Sequence, residues 1–342
     1  MTNSLFKLAA LATAASLAAP LSAFAGEVNV YSYRTPDLIA PIVDAFQEKS
    51  GHTVNIINAD GLVERIEAEG DNSPADVLLT VDIGRLDAAV QAGITAPYSS
   101  DTVEQNVPAQ FRDADGNWIG LTRRGRIIFA SNERVEADEL DYADLADPKY
   151  KGRVCTRSGQ HVYSIGLWAS QLAKNGEDAT REWLTGIKDN LSRKPEGNDR
   201  AQAQAVYEGS CDLAIMNTYY VGLMKTNDAE PEQKEWAAAG KVIYPNQSGD
   251  GTHTNIAGVS LIEGGPNADV AAEFIDFLAS AEGQKLYAEL VHEFPVNPDV
   301  ERSEVVQSFT PADVKLDDQS LTGVAANRKR ASELVDEIGF DN

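Results

Sequence analysis

The sequence contains little cysteine and histidine. It has two cysteines and four scattered histidines among 342 residues, and no spacing among them resembles a zinc site. After residue 25, no stretch is apolar for long enough to span a bilayer, so we predict no direct insertion into a membrane. Internal repeats and low-complexity segments are also missing after residue 25.

Positive charge is scarce as well. The chain carries 29 Lys and Arg against 53 Asp and Glu, a formal net charge of −24. The acidic residues are scattered, which is typical of a solvated acidic surface. Such a surface disfavours nucleic acid and anionic membranes as partners.

The N-terminus has the pattern of a secretory signal peptide. Lys7 precedes an alanine-rich apolar run, and Ser22-Ala-Phe-Ala25 provides the small residues of a signal peptidase site. We therefore predict a signal peptide over residues 1–25 and export of the mature protein.

The remaining 317 residues exceed what one core usually organises, so two domains are expected. We predict a first lobe from 26–123 plus about 250–300. The second lobe then takes 124–249 plus a C-terminal helical segment, 301–342.

Strand-like alternation and helical spacing follow each other from residue 28 onward. Val28 to Tyr33 alternates like a strand, and a helical pattern then opens at Pro36 and ends at Gly51. This order of a strand followed by a helix recurs up to a third strand at Asp76–Val81. This rhythm predicts an α/β fold with a parallel sheet covered on both faces.

A second α/β unit is predicted beyond residue 118. Two extended segments, Trp118–Leu121 and Arg126–Ala130, come first, and one amphipathic helix, Ala325–Ile338, comes last. Between them, Gly197-Asn-Asp199 predicts a helix N-terminus with a structural cap. Two α/β lobes joined by crossings are typical of a receptor that closes on a ligand in the cleft.

Three tyrosines occupy similar places in this pattern. Leu213–Met216 predicts a buried strand, and Tyr219 and Tyr220 follow where a helix begins. Tyr163 lies in a loop, 157–164, that also joins a strand to a helix. Ligands of open α/β sheets bind at such loops. The alternative is that the tyrosine pair only packs against the core.

A cluster of phenols favours a hard, highly charged cation. A free phenol ionises near pH 10, so it becomes an anionic ligand at neutral pH only beside a strong positive charge. Ferric iron is such a cation, and three phenolates would neutralise its charge. Calcium fits less well, since it prefers carboxylates and carbonyls.

Arginines near the predicted connection between the two lobes are candidate anion ligands, the second part of a site. Arg34 ends the first strand, and Arg123-Arg-Gly-Arg126 lies between the two extended segments. Guanidinium groups bind carbonate, phosphate or carboxylate through two hydrogen bonds. The alternatives are a surface turn for the cluster, and a salt bridge from Arg34 to Asp37 or Asp82.

The two cysteines, Cys155 and Cys211, each lie in or beside a predicted strand. An even count in an exported protein predicts a disulfide between them.

The segment from Gly197 to Tyr220 resembles the signature of the periplasmic ferric-iron-binding proteins of ABC transporters. Ser73-Pro-Ala-Asp-Val77, Trp118-Ile-Gly-Leu-Thr-Arg-Arg124 and Lys151-Gly-Arg-Val154 also resemble segments of this family. The similarity covers nearly the whole chain after residue 25.

The resemblance implies particular ligands. The family's second-lobe iron ligands correspond to Tyr163, Tyr219 and Tyr220. The first lobe departs from the pattern, because Thr35 and Val81 stand where some members carry a histidine, tyrosine or glutamate. The resemblance therefore implies that a bound anion completes the coordination, with Tyr33 as a candidate extra ligand.

Together these observations predict a two-lobed periplasmic binding protein of the type II solute-binding fold, with its ligand in the interlobe cleft. It binds Fe(III) through the three tyrosines, with carbonate or a similar synergistic anion held by Arg34, Arg124 and Arg126. As a monomer without enzymatic activity, it delivers iron to an inner-membrane ABC permease and its ATPase.

Two alternatives remain open at this point. The first is a receptor of the same fold for a ferric chelate or a small organic anion. The second is an exported hydrolase that uses Ser158 and His161, although no Gly-x-Ser-x-Gly motif occurs after residue 25.

Overall fold

The computed structural model describes residues 25–342, so the predicted signal peptide lies outside the described residues except for Ala25. The strands are β1 Glu27–Ser32, β2 Thr53–Asn58, β3 Val77–Thr80, β4 Thr95–Ala96, β5 Ile119–Ser131, β6 Val154–Cys155, β7 Leu213–Asn217, β8 Gly240–Ile243, β9 Thr254–Ile262 and β10 Phe294–Pro295.

Helices cover these strands, and most of the predicted helices are confirmed with small shifts of their ends. They are α1 Pro36–Ser50, α2 Leu62–Glu69, α3 Ile83–Gln91, α4 Asp101–Asn106, α5 Val162–Asn175, α6 Glu177–Asn190, α7 Asp199–Tyr207, α8 Thr218–Lys225, α9 Glu232–Ala238, α10 Ala268–Ala279, α11 Ala281–Val291, α12 Glu304–Gln307, α13 Leu321–Ala326 and α14 Arg328–Glu337. Four short 3-10 turns lie at Gly70–Asn72, Ala109–Phe111, Tyr142–Ala146 and Pro148–Tyr150.

The strands pair along one path, β2-β1-β3-β9-β5-β7-β6, with β4 added to β9 and with β8 and β10 added to β5. As predicted, β1 runs parallel to β2 and β3. The parallel arrangement does not extend to the rest of the sheet, because β9 is antiparallel to both β3 and β5. The chain returns from its second half through β9 and therefore enters the sheet from the opposite direction.

One long strand, β5, joins the two halves of the fold. Its first part pairs with β9, and its second part, from Arg126 onward, pairs with β7. Both predicted extended segments are therefore confirmed within one strand, and the alternative of a surface turn between them is wrong, since Arg123-Arg-Gly-Arg126 lies inside this strand. Arg124 and Arg126 are buried there. A strand accommodates them because other parts of the chain bring carboxylates to both.

Two main apolar cores include residues from opposite ends of β5. The first contains Val30 of β1 and Phe274 of α10. The second contains Ile128 of β5 and Trp168 of α5. This arrangement is consistent with two lobes, and the boundaries at 123, 249 and 300 remain our proposal.

The C-terminal segment forms two helices instead of the single predicted helix Ala325–Ile338. Asn327 separates α13 from α14, and its side-chain amide donates to the carbonyl oxygen of Gly323 at 2.9 Å. This side-chain bond competes with the helical backbone pattern. Leu321 of α13 packs in the first core and Val324 in the second, so α13 lies between the cores.

Across residues 25–342, no helix has both the length and the apolar character needed to cross a membrane.

The predicted disulfide is confirmed. Strands β6 and β7 are parallel neighbours, and Cys155 at the end of β6 is bonded to Cys211 just before β7. Both cysteines are buried. The bond therefore ties the loop before Tyr163 to the strand that leads to Tyr219.

Removing this disulfide should lower the melting temperature. The bond joins residues 56 positions apart. Closing a loop of that length contributes about 4 kcal/mol in the chain-entropy model. We expect the Cys155→Ala/Cys211→Ala variant to melt roughly 6 °C below the unaltered chain. Calorimetry with and without reductant checks this, because reductant should shift only the unaltered chain. Equal melting temperatures for the two proteins would contradict it.

Candidate metal centre

A cavity of about 340 Å³ opens between the two halves of the fold. Side chains from both halves line it: Tyr33, Arg34, Thr35, Asp37, Leu38 and Val81 on one side, and Tyr163, Arg200, Tyr219, Tyr220 and Leu223 on the other. The three predicted tyrosines therefore face one cleft together.

Local chain geometry places each tyrosine in the first turn of a helix. Asn217 is both the last residue of β7 and the N-cap of α8, so Tyr219 and Tyr220 follow the strand with no loop between. Tyr163 is the second residue of α5, whose N-cap is His161. The prediction that tyrosines lie where strands give way to helices is confirmed.

The phenols lie close together. The hydroxyl oxygens of Tyr163 and Tyr219 are 3.3 Å apart. The rings of Tyr219 and Tyr220 stack, with centroids 4.2 Å apart. Burial raises the pKa of Tyr219 well above its ordinary value, and the neighbouring phenols raise it further. Without a metal, this phenol is therefore neutral at physiological pH.

Arg34 and Arg124 share one buried carboxylate. Arg34 Nη2 donates to Glu293 Oε1 at 2.8 Å, and Arg124 Nη1 lies 3.9 Å from the same oxygen. Burial alone would raise the pKa of Glu293, but Arg34 and Arg124 outweigh this and lower it. The predicted alternative for Arg34, a salt bridge to Asp37 or Asp82, is wrong.

A second carboxylate, Asp199, holds two more arginines. Arg126 Nη1 donates to Asp199 Oδ2 at 2.6 Å, and Arg157 Nη1 donates to Oδ1 at 3.1 Å. The backbone N–H of Asn217 also donates to Asp199, at 2.7 Å. Asn198 is the helix cap, as predicted for this segment, and Asp199 links the arginines to the start of α8.

Arginine side chains lie over all three phenol rings. The guanidinium carbon of Arg124 is 5.2 Å from the ring centroid of Tyr163, and that of Arg34 is 5.9 Å from Tyr219. Arg157 lies over Tyr163 and Arg200 over Tyr220. These cations favour the ionised form of phenols, which is the form that binds a metal.

Several of these guanidinium groups retain unused donors. Nη1 and Nη2 of Arg124 are buried and make no hydrogen bond to any described residue. The same holds for Nε and Nη2 of Arg126. Buried donors are normally paired. Arg124 does not itself line the cavity, but it lies over Tyr163 with two donors that have no partner among the described residues, whereas Arg126 commits one amino group to Asp199.

In the first half of the fold, neither Tyr33 nor Val81 offers a free oxygen ligand. Tyr33 lines the cleft, but its hydroxyl oxygen accepts hydrogen bonds from the backbone N–H groups of Leu62 and Val63 at 2.9 and 3.2 Å. Val81 is buried and apolar. Within residues 25–342, no cluster of three or more His, Cys, Asp or Glu side chains could hold a metal ion.

The candidate hydrolase pair is not assembled. Ser158 Oγ donates to Asp341 Oδ2 at 2.6 Å. The Nδ1 atom of His161 accepts the backbone N–H of Tyr163 at 3.2 Å. Burial, followed by the charge of Arg157, lowers the pKa of His161 to about 3. Ser158 and His161 thus serve as local structure around the tyrosine site.

Sequence reasoning missed the residues that hold the arginines. Glu293 and Tyr287, which accepts from Arg34 Nε at 3.1 Å, lie far along the chain from the arginines. Asp199 was assigned only to a structural cap. The one available signal was the run of arginines itself, because buried arginines require buried acceptors.

The chain belongs to the family of bacterial extracellular solute-binding proteins, whose sequence pattern matches residues 41–314. It is 41% identical over 317 residues to iron uptake protein A1 of Synechocystis sp., covering 92% of this chain and 87% of that protein.

Solved structures agree with this assignment. Apo ferric ion-binding protein A of Pasteurella haemolytica is 46% identical, with a TM-score of 0.88 over 92% of this chain and 98% of that one. The Trichodesmium protein IdiA (FutA), solved with iron and citrate ligands, is 37% identical, with a TM-score of 0.86 over 92% and 100%. The predicted two-lobed type II binding-protein fold is confirmed, and the chain is a solute-binding protein, not an enzyme.

Replacing Asp199 by Asn should destabilise the fold. Asp199 is fully buried between Arg126 and Arg157, and its loss leaves both without their shared carboxylate. Breaking a buried pair of this kind costs about 3–5 kcal/mol, measured as the free energy of unfolding in denaturant. The control is Asp138→Asn, because the Asp138 side chain is 87% exposed beside Lys241. That change should cost less than about 1 kcal/mol.

The difference in unfolding free energy between the unaltered chain and Asp199→Asn should depend on pH in a defined direction. Burial alone would raise the pKa of Asp199, but Arg126 and Arg157 hold it below its ordinary value of 3.8. Its contribution is therefore complete above the unfolded pKa and is lost as the pH falls through the folded pKa. The stability difference should stay constant from pH 7 to about pH 5 and shrink below about pH 4. A difference that persists unchanged at the lowest pH at which the protein folds would contradict this.

Proposed function

We propose that this chain binds Fe(III) through the phenolate oxygens of Tyr163, Tyr219 and Tyr220, together with a synergistic anion. The observation that carries the proposal is the convergence of three phenols beneath arginine side chains in one interlobe cleft. The proteins it resembles include a ferric ion-binding protein and an iron uptake protein, which supports iron as the cargo.

The chemistry of the donors fits a trivalent ion. Phenolate is a hard oxygen donor, and hard donors suit ferric iron. Three phenolates carry three negative charges, so iron enters the cleft without leaving a buried net charge. The raised pKa of Tyr219 means that its proton must be displaced on binding, which a trivalent cation can do and a weakly charged one cannot.

The anion accounts for the unused donors. Three phenolates leave part of the coordination shell of iron open. Carbonate or a similar small oxyanion would bind there and accept hydrogen bonds from Arg34 and Arg124. Arg126 contributes less to it in this proposal, since Asp199 already binds one of its amino groups.

Family membership implies a membrane permease as partner. We propose that residues 1–25 direct export to the periplasm and that the protein is a monomer there. Iron then passes to an inner-membrane ABC permease driven by its ATPase. The relatives do not favour the alternative of a receptor for a ferric chelate or organic anion.

Ferric iron and bicarbonate should produce a visible absorption band from phenolate-to-iron charge transfer. We expect the band to be lost in Tyr219→Phe/Tyr220→Phe, because two of the three phenolates are then missing. Tyr207→Phe is the matched control, since Tyr207 is an exposed tyrosine that does not line the cleft, and it should keep the full band. Absorption spectra during a ferric titration measure the effect. A colourless unaltered protein, or a coloured double variant, would contradict the proposal.

Arg124→Lys should raise the bicarbonate concentration required for half of this band by about tenfold. Lysine keeps the positive charge but lacks the two-pronged donor geometry that matches an oxyanion. The control is Arg330→Lys, because Arg330 lies on the surface among Glu177, Glu333 and Glu337. Melting curves verify that both variants fold. An unchanged bicarbonate requirement in Arg124→Lys would remove this arginine from the anion site.

A further inference from the structure

Glu293 lies directly behind the proposed anion site. It follows α11, is fully buried and does not line the cleft. Its Oε1 atom is 2.8 Å from Arg34 Nη2 and 3.9 Å from Arg124 Nη1. Its Oε2 atom accepts a hydrogen bond from Thr122 Oγ1 at 2.5 Å. Glu293 thus reaches both anion-site arginines without itself reaching the cavity.

Both arginines keep donors that make no hydrogen bond to Glu293. Arg124 keeps two buried amino groups that no described residue accepts. Arg34 uses Nη2 on Glu293 and Nε on Tyr287, and no described group accepts a bond from its Nη1. The carboxylate therefore removes charge from the pair while leaving donors available to a ligand.

This arrangement changes the charge that an anion meets. Two guanidinium groups carry two positive charges, and Glu293 offsets one of them. In a water-poor site, one unit of charge at about 6 Å changes the affinity for each negative charge on a ligand by about a hundredfold, at an effective dielectric constant of about 20. Small oxyanions of similar shape that differ by one charge are therefore strongly discriminated.

We propose that Glu293 is the specificity-determining residue of the anion site, that it favours small oxyanions of low charge over polyvalent oxyanions, and that the carbonate of the proposed site is therefore bound as singly charged bicarbonate. This inference rests on the proposed function, because it takes the anion to bind beside Arg34 and Arg124. Glu293 acts through the arginines and touches neither the anion nor the metal.

A purely structural role would have different consequences. If Glu293 only fixed the position of Arg34, any change that loosens it would weaken all anions alike. If the charge of Glu293 sets the selectivity, only a change of that charge alters the ratio of the affinities for two different anions. Thr122 separates the two roles, because Thr122→Val removes a hydrogen bond to Glu293 and leaves its charge in place.

The test compares bicarbonate, with one negative charge, and sulfate, with two. The full-length protein is loaded with ferric iron at pH 7.5, and the visible band is measured against bicarbonate concentration and then against added sulfate as competitor. In Glu293→Gln, we expect the ratio of the half-inhibiting sulfate concentration to the half-saturating bicarbonate concentration to fall at least tenfold. In Thr122→Val, that ratio should stay within threefold of the unaltered protein.

A ratio that is unchanged in Glu293→Gln overturns the inference, and so does an equal fall in Thr122→Val. If Glu293→Gln does not fold by its melting curve, the same substitution is made in Arg34→Gln protein. There it leaves no Arg34 guanidinium without its carboxylate, and the tenfold fall is expected relative to Arg34→Gln alone. An equal ratio in that pair also overturns the inference.

The outcomes are separate from those of the iron proposal. Failure of the iron proposal appears as a missing band in the unaltered protein with bicarbonate. Failure of the present inference appears as a normal band whose sulfate-to-bicarbonate ratio does not respond to Glu293→Gln.

Discussion

Two buried carboxylates make the centre of this protein possible. Glu293 is shared by Arg34 and Arg124, and Asp199 is shared by Arg126 and Arg157. Without these acids, four guanidinium groups would be buried with no anionic partner, at a cost of several kcal/mol each. Because each acid binds two arginines, each pair keeps excess positive charge. A protein with a net charge of −24 therefore contains a positive cleft.

The excess positive charge of these arginine pairs lies close to the phenol groups of the cleft. Tyr219 is almost fully buried, and burial together with the neighbouring phenols opposes its ionisation. Arg34 and Arg124 act in the opposite direction but do not overcome burial. Without a bound cation, Tyr219 and Tyr220 are thus neutral phenols beside arginine side chains, and a stronger positive charge is required to ionise them. This balance explains why the arginines can be close to the tyrosines without producing a permanent anion.

The tyrosine half of the site could be predicted from sequence because its geometry is local. Asn217 ends β7 and caps α8, so the position of Tyr219 and Tyr220 follows from a short run of residues. The arginine half could not, because its partners are distant: Arg34 and Glu293 are 259 residues apart. A run such as Arg123–Arg126 resembles an exposed turn, since arginines are mostly exposed. Only the tertiary fold shows that acids meet them inside the sheet.

The two halves of the fold contribute different things to the cleft. All three phenols come from α5 and α8, in the second half. From the first half come Arg34 and Glu293, while the Tyr33 hydroxyl is occupied at the start of α2 and Val81 has no donor atom. The second half therefore supplies the proposed metal ligands together with Arg157 and Arg200, and the first half adds the charge of Arg34 and Glu293. Coulomb interactions weaken with distance and with entry of water. Separation of the halves would thus move Arg34 away from Tyr219 and leave the three phenols together. The spacing of the phenols and the arginine charge beside them can therefore change independently.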